Sequence, residues 1–239
     1  MRTIISIDWD FFVPEDVRWD FGHAENLLFL NMVWMTRSQL MDEMTTDGEE
    51  QGFWDKLTNH ADIEGASFNV SDSHSYGYQM ARGADHLVLF DTHHDVWPWN
   101  RKSDHVNCDN WARFWLMSNP HAKMTWVRSA HSDYTLEGFD DFHGAERIEV
   151  LTWGKDVIPD FGRVNRVHVC RSGCWTPPWL DQSFIDFVSA GAKAIGTPVE
   201  CLPEDDGWNP LARRWSDEEF KQARHLGEQM KELTNRVGE

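Results

Sequence analysis

Three short segments of this chain concentrate side chains that bind metal ions. They read Ile7-Asp8-Trp9-Asp10, Ser71-Asp72-Ser73-His74-Ser75 and Asp91-Thr92-His93-His94-Asp95. Each follows a short run of residues that is typical of a strand. Because ligands of parallel sheets bind at the carboxyl ends of the strands, the three segments are expected to converge on one crevice.

Alternation along an extended chain predicts which of these side chains point together. It places Asp8 and Asp10 on one side of the chain and Trp9 on the other. In the third segment it places Asp91, His93 and Asp95 on one side, and Thr92 and His94 on the other. Six candidate metal ligands result: Asp8, Asp10, His74, Asp91, His93 and Asp95.

The ligand types predict which metals would bind. Four carboxylates with two imidazoles suit Mn²⁺, Zn²⁺ or Fe²⁺ and do not suit copper or iron–sulfur clusters. Four neighbouring carboxylates repel one another strongly without cations. We therefore expect two divalent ions, which these ligands allow to be Mn²⁺, Zn²⁺ or Fe²⁺.

Other polar residues are candidates for proton transfer. His131 follows a predicted strand and is expected to shuttle protons or to be a solvated loop histidine. Asp95 and His94 are the further catalytic candidates, since either could pass a proton to a leaving group.

Candidate substrate-binding residues lie in the loops after the strands. Arg171 either anchors a substrate carboxylate by bidentate contact or pairs with one of the many acids. Asn107, close to Asp109 and Asn110, is a further candidate. Tryptophans in polar loops are expected either to wall a pocket for a planar or cationic group or to be structural: Trp97, Trp99 and Trp175.

Short apolar strands that alternate with amphipathic helices predict the elements that position these residues. The pattern indicates a three-layer α/β/α fold with a mainly parallel sheet. We expect one domain over 1–239, with a helical insertion at about 17–60 and a C-terminal helix at about 216–236. Ser216 and Glu219 form a capping box at the start of that last helix.

Composition limits the classes of partner. The chain has 239 residues, 22 Lys+Arg and 40 Asp+Glu, and a net charge of −18. This charge disfavours nucleic acid and anionic membrane, and it favours a small, cationic substrate. We expect a cytoplasmic protein because the first residues read as a strand with acids and not as a signal peptide. The four cysteines do not have the spacing of a zinc knuckle.

The three segments resemble the metal motifs of the arginase-like ureohydrolases and, more distantly, of the histone deacetylases. Ser71–Ser75 is similar to a Gly-Gly-Asp-His-Ser motif, Asp91–Asp95 to Asp-Ala-His-x-Asp, and Ser6–Asp10 to Ser-x-Asp-x-Asp. In arginases the last motif follows the other two, whereas here it opens the chain, so the order is permuted.

The resemblance implies a ligand arrangement and an activity. Asp8 and Asp91 would bridge two manganese ions, with His74 and Asp95 on one and Asp10 and His93 on the other. A bridging hydroxide would hydrolyse a C–N bond of a guanidine, amidine or amide.

Two alternatives stay open. One is a phosphatase similar to the haloacid dehalogenases, with Asp8 as nucleophile and Asp10 as acid/base. The other is an acidic protein that binds metal without catalysis.

Overall fold

A computed structural model describes residues 1–14, 27–97, 105–136, 142, 144–202 and 208–237. Within this part of the chain, seven strands form one parallel sheet in the order β5-β4-β3-β1-β6-β2-β7. The strands are β1 (Thr3–Asp8), β2 (Ser67–Ser71), β3 (His86–Phe90), β4 (Lys123–Arg128), β5 (Ile148–Thr152), β6 (Val164–Cys170) and β7 (Val199–Cys201). The expected α/β class with a parallel sheet is confirmed.

The first strand lies at the centre of the sheet. β1 pairs with β3 on one side, where Ile5 is opposite Val88, and with β6 on the other, where Ser6 is opposite His168. All six residues of β1 are buried, as an apolar strand covered on both faces requires. The carboxyl end of β1 therefore lies between neighbouring strands, and Asp8 cannot reach solvent along an open edge.

Helices cover both faces of the sheet. They are α1 (Leu27–Thr36), α2 (Phe53–Thr58), α3 (Gly77–Met80), α4 (Trp111–Ser118), α5 (Asp181–Ile195) and α6 (Asp217–Val237). One core packs Ile5 and Ile7 against α2 and α5, and the other packs Ile4 against α3 and α4. The two cores follow from the alternation of side chains along the strands.

A third, smaller core joins α1 to α6 through Leu30, Trp34 and Ala223. The capping box that starts α6 is present, since Ser216 N donates to Glu219 Oε2 at 2.7 Å and Glu219 N donates to Ser216 Oγ at 3.3 Å. In the described part of the expected insertion, the structure has α1, a 3-10 turn at Ser38–Leu40 and α2.

Two elements were missed by the sequence patterns. α2 has only six residues and β7 only three, so neither is long enough for its hydrophobic period to stand out. In the described ranges, no helix combines the length and the apolarity that a membrane span requires.

Candidate metal centre

The acids after β1 are placed by a short turn. Asp8 is the last residue of β1, and a 3-10 turn at Trp9–Phe12 follows it directly. The turn sends the Trp9 ring into the core, 5.1 Å from the Phe187 ring, while Asp10 stays buried at the carboxyl edge of the sheet. The expected separation of Trp9 from the two acids holds, although a turn and not an extended strand produces it.

The segment after β3 is fixed by its own hydrogen bonds. The backbone N–H of His93 donates to Asp91 Oδ1 at 2.8 Å, which orients that carboxylate. Thr92 Oγ1 donates to the carbonyl of Asp10 at 3.1 Å and so ties this segment to the turn after β1. Asp91 and Asp10 are therefore brought together by adjacent parallel strands.

Two groups of buried side chains have ligand atoms within 4.8 Å of one another. Asp8, His74 and Asp91 form one group, and Asp10, Asp91 and His93 form the other. Each could hold a metal ion. Asp91 belongs to both groups, as expected of a bridging ligand, whereas Asp8 belongs to one, so its bridging role stays a prediction.

His74 reaches the first group from a 3-10 turn that follows β2, although β6 lies between β2 and β1. Its Nδ1 is 3.0 Å from Asp8 Oδ2, 3.1 Å from Asp91 Oδ2 and 2.9 Å from Asp95 Oδ2. Three carboxylate oxygens therefore lie within 3.1 Å of one imidazole nitrogen.

Asp95 lies beside the first group, although it is in neither group. Its Oδ2 accepts a hydrogen bond from Trp111 Nε1 and lies beside His74. Its backbone is in the left-handed region with φ 52°, which is costly for a residue with a side chain. Backbone strain of this kind persists where the surrounding structure holds a residue in place. Here the carboxylate of the strained residue lies beside the first group.

The buried oxygens of the site fit a cation. Asp8 Oδ1 and Asp10 Oδ1 are buried and accept no hydrogen bond. A buried carboxylate oxygen without a donor is costly, and a divalent ion would satisfy it. Carboxylates with imidazoles form the donor set of Mn²⁺, Fe²⁺ or Zn²⁺, so the residues fit the expected class of metal.

The pKa values of these groups reflect burial and mutual repulsion. Burial, followed by the charge of Asp91, raises the pKa of Asp95 to about 7. Burial and the charges of Asp8 and Asp91 raise the pKa of Asp10 well above its usual range.

Neighbouring charges act against burial at the two central residues. Burial works to raise the pKa of Asp91, but hydrogen bonds from His74 and His93 hold it below its usual range. Burial works to lower the pKa of His74, but the charges of Asp8 and Asp95 raise it well above the usual value. The carboxylates of the centre therefore favour a positive charge beside them.

A cleft of about 370 Å³, including the part open to solvent, leads to the two groups. Its lining combines acids, two tryptophans, two thiols and a hydroxyl: Asp8, His93, Asp95, Trp97, Cys108, Asp109, Ser172, Cys174 and Trp175. The His93 ring lies 4.9 Å from Trp175 and 4.8 Å from Tyr134. A small planar molecule entering the cleft would meet aromatic faces and carboxylates together.

The expected substrate residues divide between the cleft and its surroundings. Trp97 and Trp175 line it, whereas Asn107 is not among the lining residues and donates its backbone N–H to Asn110 Oδ1 at 2.9 Å. Trp99 lies outside the described residues.

The histidines proposed for catalysis also lie away from the cleft lining. His131 is partly buried, with Nδ1 3.6 Å from Asp47 Oδ2. His94 is fully buried, its ring lies 4.8 Å from that of Trp97, and burial lowers its pKa to about 4. Of the expected catalytic residues, Asp95 is the one that lines the cleft.

Arg171 makes the ion pair that was its alternative role. Its guanidinium is fully buried, with Nη2 2.7 Å from Asp181 Oδ1, and it donates to the carbonyls of Pro210 and Ala212. The carboxylate of Asp181 also accepts from Arg214 Nη2 at 2.8 Å. We therefore correct the assignment of Arg171 as a substrate anchor, because burial and these partners leave it no approach to a substrate.

Some residues of the site are absent from the sequence-based expectation. Cys108, Ser172 and Cys174 line the cleft, and Ser172 has φ 56°. His168, in the middle of β6, is linked to the centre through Ser6. A histidine between Val167 and Val169, in the buried half of β6, was the available signal for it.

Comparison of the chain with protein-family models, curated proteins and solved structures gives no match.

Proposed function

We propose that this protein is a dinuclear, metal-dependent hydrolase that cleaves a C–N bond of a small guanidine, amidine or amide. The observation that carries the proposal is the pair of ligand groups that share Asp91 and open onto a cleft. The ions, Mn²⁺ in the first place, would supply Lewis acidity and an activated water when bound. The resemblance of the three segments to ureohydrolase motifs supports the same class of reaction.

The residues of the chain have separate tasks in this proposal. Asp8, His74 and Asp91 would hold one ion, and Asp10 and His93 with the shared Asp91 the other. Trp97 and Trp175 would flank a planar carbon centre. Asp95 lines the cleft, and its carboxyl is the candidate donor of a proton to the leaving nitrogen.

The charge of the cleft favours this substrate class over a phosphate ester. No Lys or Arg is among the described residues that line the cleft, and Arg171 is engaged by Asp181. A phosphate group would therefore meet carboxylates without a cationic side chain, which disfavours the phosphatase alternative. A cationic or neutral amidine nitrogen suits the same lining.

The test begins with metal analysis of protein purified without chelator, followed by a screen for released ammonia or urea. We expect about two divalent ions per chain and turnover of at least one guanidine, amidine or amide. Asp91→Asn should lose the metal and the activity. Asp109→Asn is the matched control, because this acid lines the same cleft but belongs to neither ligand group, and it should keep the metal.

Three outcomes would contradict the proposal. Metal binding without turnover across the screen would indicate a non-catalytic metal-binding protein. Covalent phosphorylation of Asp8 by a phosphate ester would indicate the phosphatase. Full metal content in Asp91→Asn would remove the shared ligand from the centre.

A further inference from the structure

A line of buried hydrogen bonds runs from the candidate metal centre into the sheet. His74 Nε2 is 2.9 Å from Ser6 Oγ, and the same oxygen is 3.0 Å from His168 Nδ1. His168 Nε2 is 2.9 Å from Ser71 Oγ, which donates to the carbonyl of Ser73 at 2.8 Å. All four side chains are at most 1% exposed. We call His74, Ser6, His168 and Ser71 the relay.

The carbonyl at the end of the relay sets the direction of every bond in it. A carbonyl only accepts, so the hydroxyl hydrogen of Ser71 points to Ser73 and the Ser71 oxygen must accept from His168 Nε2. His168 is fully buried and its side-chain hydrogen bonds are to two hydroxyls, so its ring is neutral and has one N–H. With the proton at Nε2, His168 Nδ1 accepts from the hydroxyl of Ser6.

The same reasoning reaches the metal centre. Ser6 has given its hydrogen to His168, so its oxygen accepts from His74 Nε2–H. Whether the His74 ring is neutral or protonated, one proton is therefore held at Nε2, on the side of the ring away from the carboxylates. Nδ1, the atom that faces Asp8, Asp91 and Asp95, is left as the ligand atom.

We propose that His168 is a positioning residue for the metal centre, which keeps His74 in the tautomer that binds metal through Nδ1. This inference rests on the proposed metal site. The partner of the second ring nitrogen commonly fixes the tautomer of a ligating histidine. Here the fixing group lies two hydrogen bonds away and is anchored to the backbone of the segment that carries His74.

Three of the four relay side chains lie on neighbouring strands. Changing one of them to an apolar residue would therefore break a hydrogen bond of another. Ser6 and His168 are directly opposite in the pairing of β1 with β6, and Ser71 lies near the end of β2 on the other side of β6. Buried polar side chains cost stability unless every one is satisfied. In the relay each hydroxyl, both nitrogens of His168 and Nε2 of His74 have a partner, so removing one member leaves another polar atom unsatisfied.

Removing the anchor should let the relay reverse. In Ser71→Ala, His168 loses the acceptor for Nε2–H, and its proton is free to move to Nδ1. Ser6 would then accept from His168 and donate to His74 Nε2, which puts the His74 proton on Nδ1. The first ligand group would lose its nitrogen ligand although no residue of that group has changed.

The experiment measures the ring tautomer and the metal affinity separately. Ring ¹⁵N NMR of metal-free protein, at a pH high enough for His74 to be neutral, should show His168 protonated at Nε2 in the wild type and at Nδ1, or in both forms, in Ser71→Ala. Mn²⁺ affinity, measured by electron paramagnetic resonance of the free ion, should fall about 10- to 100-fold in Ser71→Ala. Ser71→Thr restores the hydroxyl and should restore both readouts.

The control is a second buried strand histidine. His86 on β3 is 3% exposed and bonds Thr125 Oγ1 at 2.9 Å, so it has a similar environment without a link to the relay. His86→Gln should leave Mn²⁺ affinity unchanged at temperatures where it is folded. Thermal melts of all variants separate a loss of affinity from a loss of fold.

The relay and the proposed activity fail in different ways. Wild-type His168 protonated at Nδ1, or Ser71→Ala binding Mn²⁺ as tightly as the wild type, would overturn the relay. Wild-type protein that binds Mn²⁺ with the expected tautomer but turns over no substrate supports the relay and contradicts only the hydrolase. Wild-type protein without affinity for Mn²⁺ would overturn both.

Discussion

Two buried clusters of charge lie near the carboxyl end of the sheet, and they are built in opposite ways. In the arginine cluster, Asp181 accepts from both Arg171 and Arg214, so one carboxylate lies between two guanidinium groups. The carboxylate cluster, by contrast, has four acids and two imidazoles: Asp8, Asp10, Asp91, Asp95, His74 and His93. Only the second cluster leaves carboxylate oxygens, those of Asp8 and Asp10, without a donor.

The difference distinguishes a cluster with a structural role from a cluster that could hold a cation. The guanidinium groups also donate to the carbonyls of Gly173, Pro210 and Ala212, so the arginine cluster holds the segment that carries Ser172 and Trp175 beside the cleft. Asp72, whose Oδ1 lies 4.0 Å from Arg171 Nε, supplies a second carboxylate, so the charges of the arginine cluster are compensated inside the protein. The carboxylate cluster lacks that compensation, and a cation from outside would supply it.

The largest expected effect comes from breaking the compensated cluster. Asp181→Asn leaves two buried guanidinium groups without their carboxylate, and the free energy of unfolding should fall by about 3–5 kcal/mol. Urea unfolding measures it. Asp186→Asn is the control, since this acid is exposed on the same helix and should change stability little. A small effect of Asp181→Asn would deny the arginine cluster its structural role.

Adding a cation should stabilise the other cluster. Mn²⁺ at about 100 times its dissociation constant should raise the free energy of unfolding by about 2.7 kcal/mol for each ion bound, because only the folded state offers the two ligand groups. Denaturation with and without Mn²⁺ measures the shift. An unchanged unfolding curve at millimolar Mn²⁺ would contradict the centre.

Asp91→Asn should remove the stabilisation that Mn²⁺ gives to the protein. Without metal, the change removes a carboxylate whose charge His74 and His93 favour, so the free energy of unfolding should fall. With metal, the further stabilisation by Mn²⁺ should be lost because an amide cannot bridge two ions. Melting temperatures with and without Mn²⁺ test it, and a variant that Mn²⁺ stabilises as much as the wild type would contradict the shared role of Asp91.

The pH dependence of metal-free protein should report the uncompensated acids. Asp95 has a folded pKa of about 7 against a usual 3.8, so between these values the folded state binds more protons than the unfolded state. This group therefore costs stability as pH rises from about 4 to 7. The free energy of unfolding of Asp95→Asn, minus that of the wild type, should grow over this window. A difference independent of pH would contradict the raised pKa.

The smallest effect is expected at an exposed ion pair. It joins an arginine to an aspartate, as the arginine cluster does, but it is not buried. Arg163 Nη1 donates to both oxygens of Asp62 at 2.9 Å, with both side chains more than half exposed. Asp62→Asn should lower stability by at most about 1 kcal/mol, because solvent screens the pair. The same urea assay compares it with Asp181→Asn. Similar losses at the two sites would show that burial is not what distinguishes them.

The sequence predicted the ligands of the centre well because their signal is local. Carboxylates and imidazoles that directly follow apolar strands fall at one edge of a parallel sheet whatever the order of the strands. Asp8, Asp10, His74, Asp91 and His93 are thus found in the two groups. The roles of single residues were less accessible, and Arg171 shows why, since its partner Asp181 is brought to it by the packing of α5.

By itself, the sequence determined the class of fold, the buried character of β1 and the types of ligand available at the strand ends. These depend on side-chain polarity and on periods of a few residues. Only the tertiary structure decided that β6 lies between β1 and β2, because nothing local specifies which parallel strands are neighbours. That order places His168 opposite Ser6, makes Asp91 common to both ligand groups and separates the compensated charges from the uncompensated ones. Distances between segments far apart in the chain decide each of these relations, and they exist only once the sheet has formed.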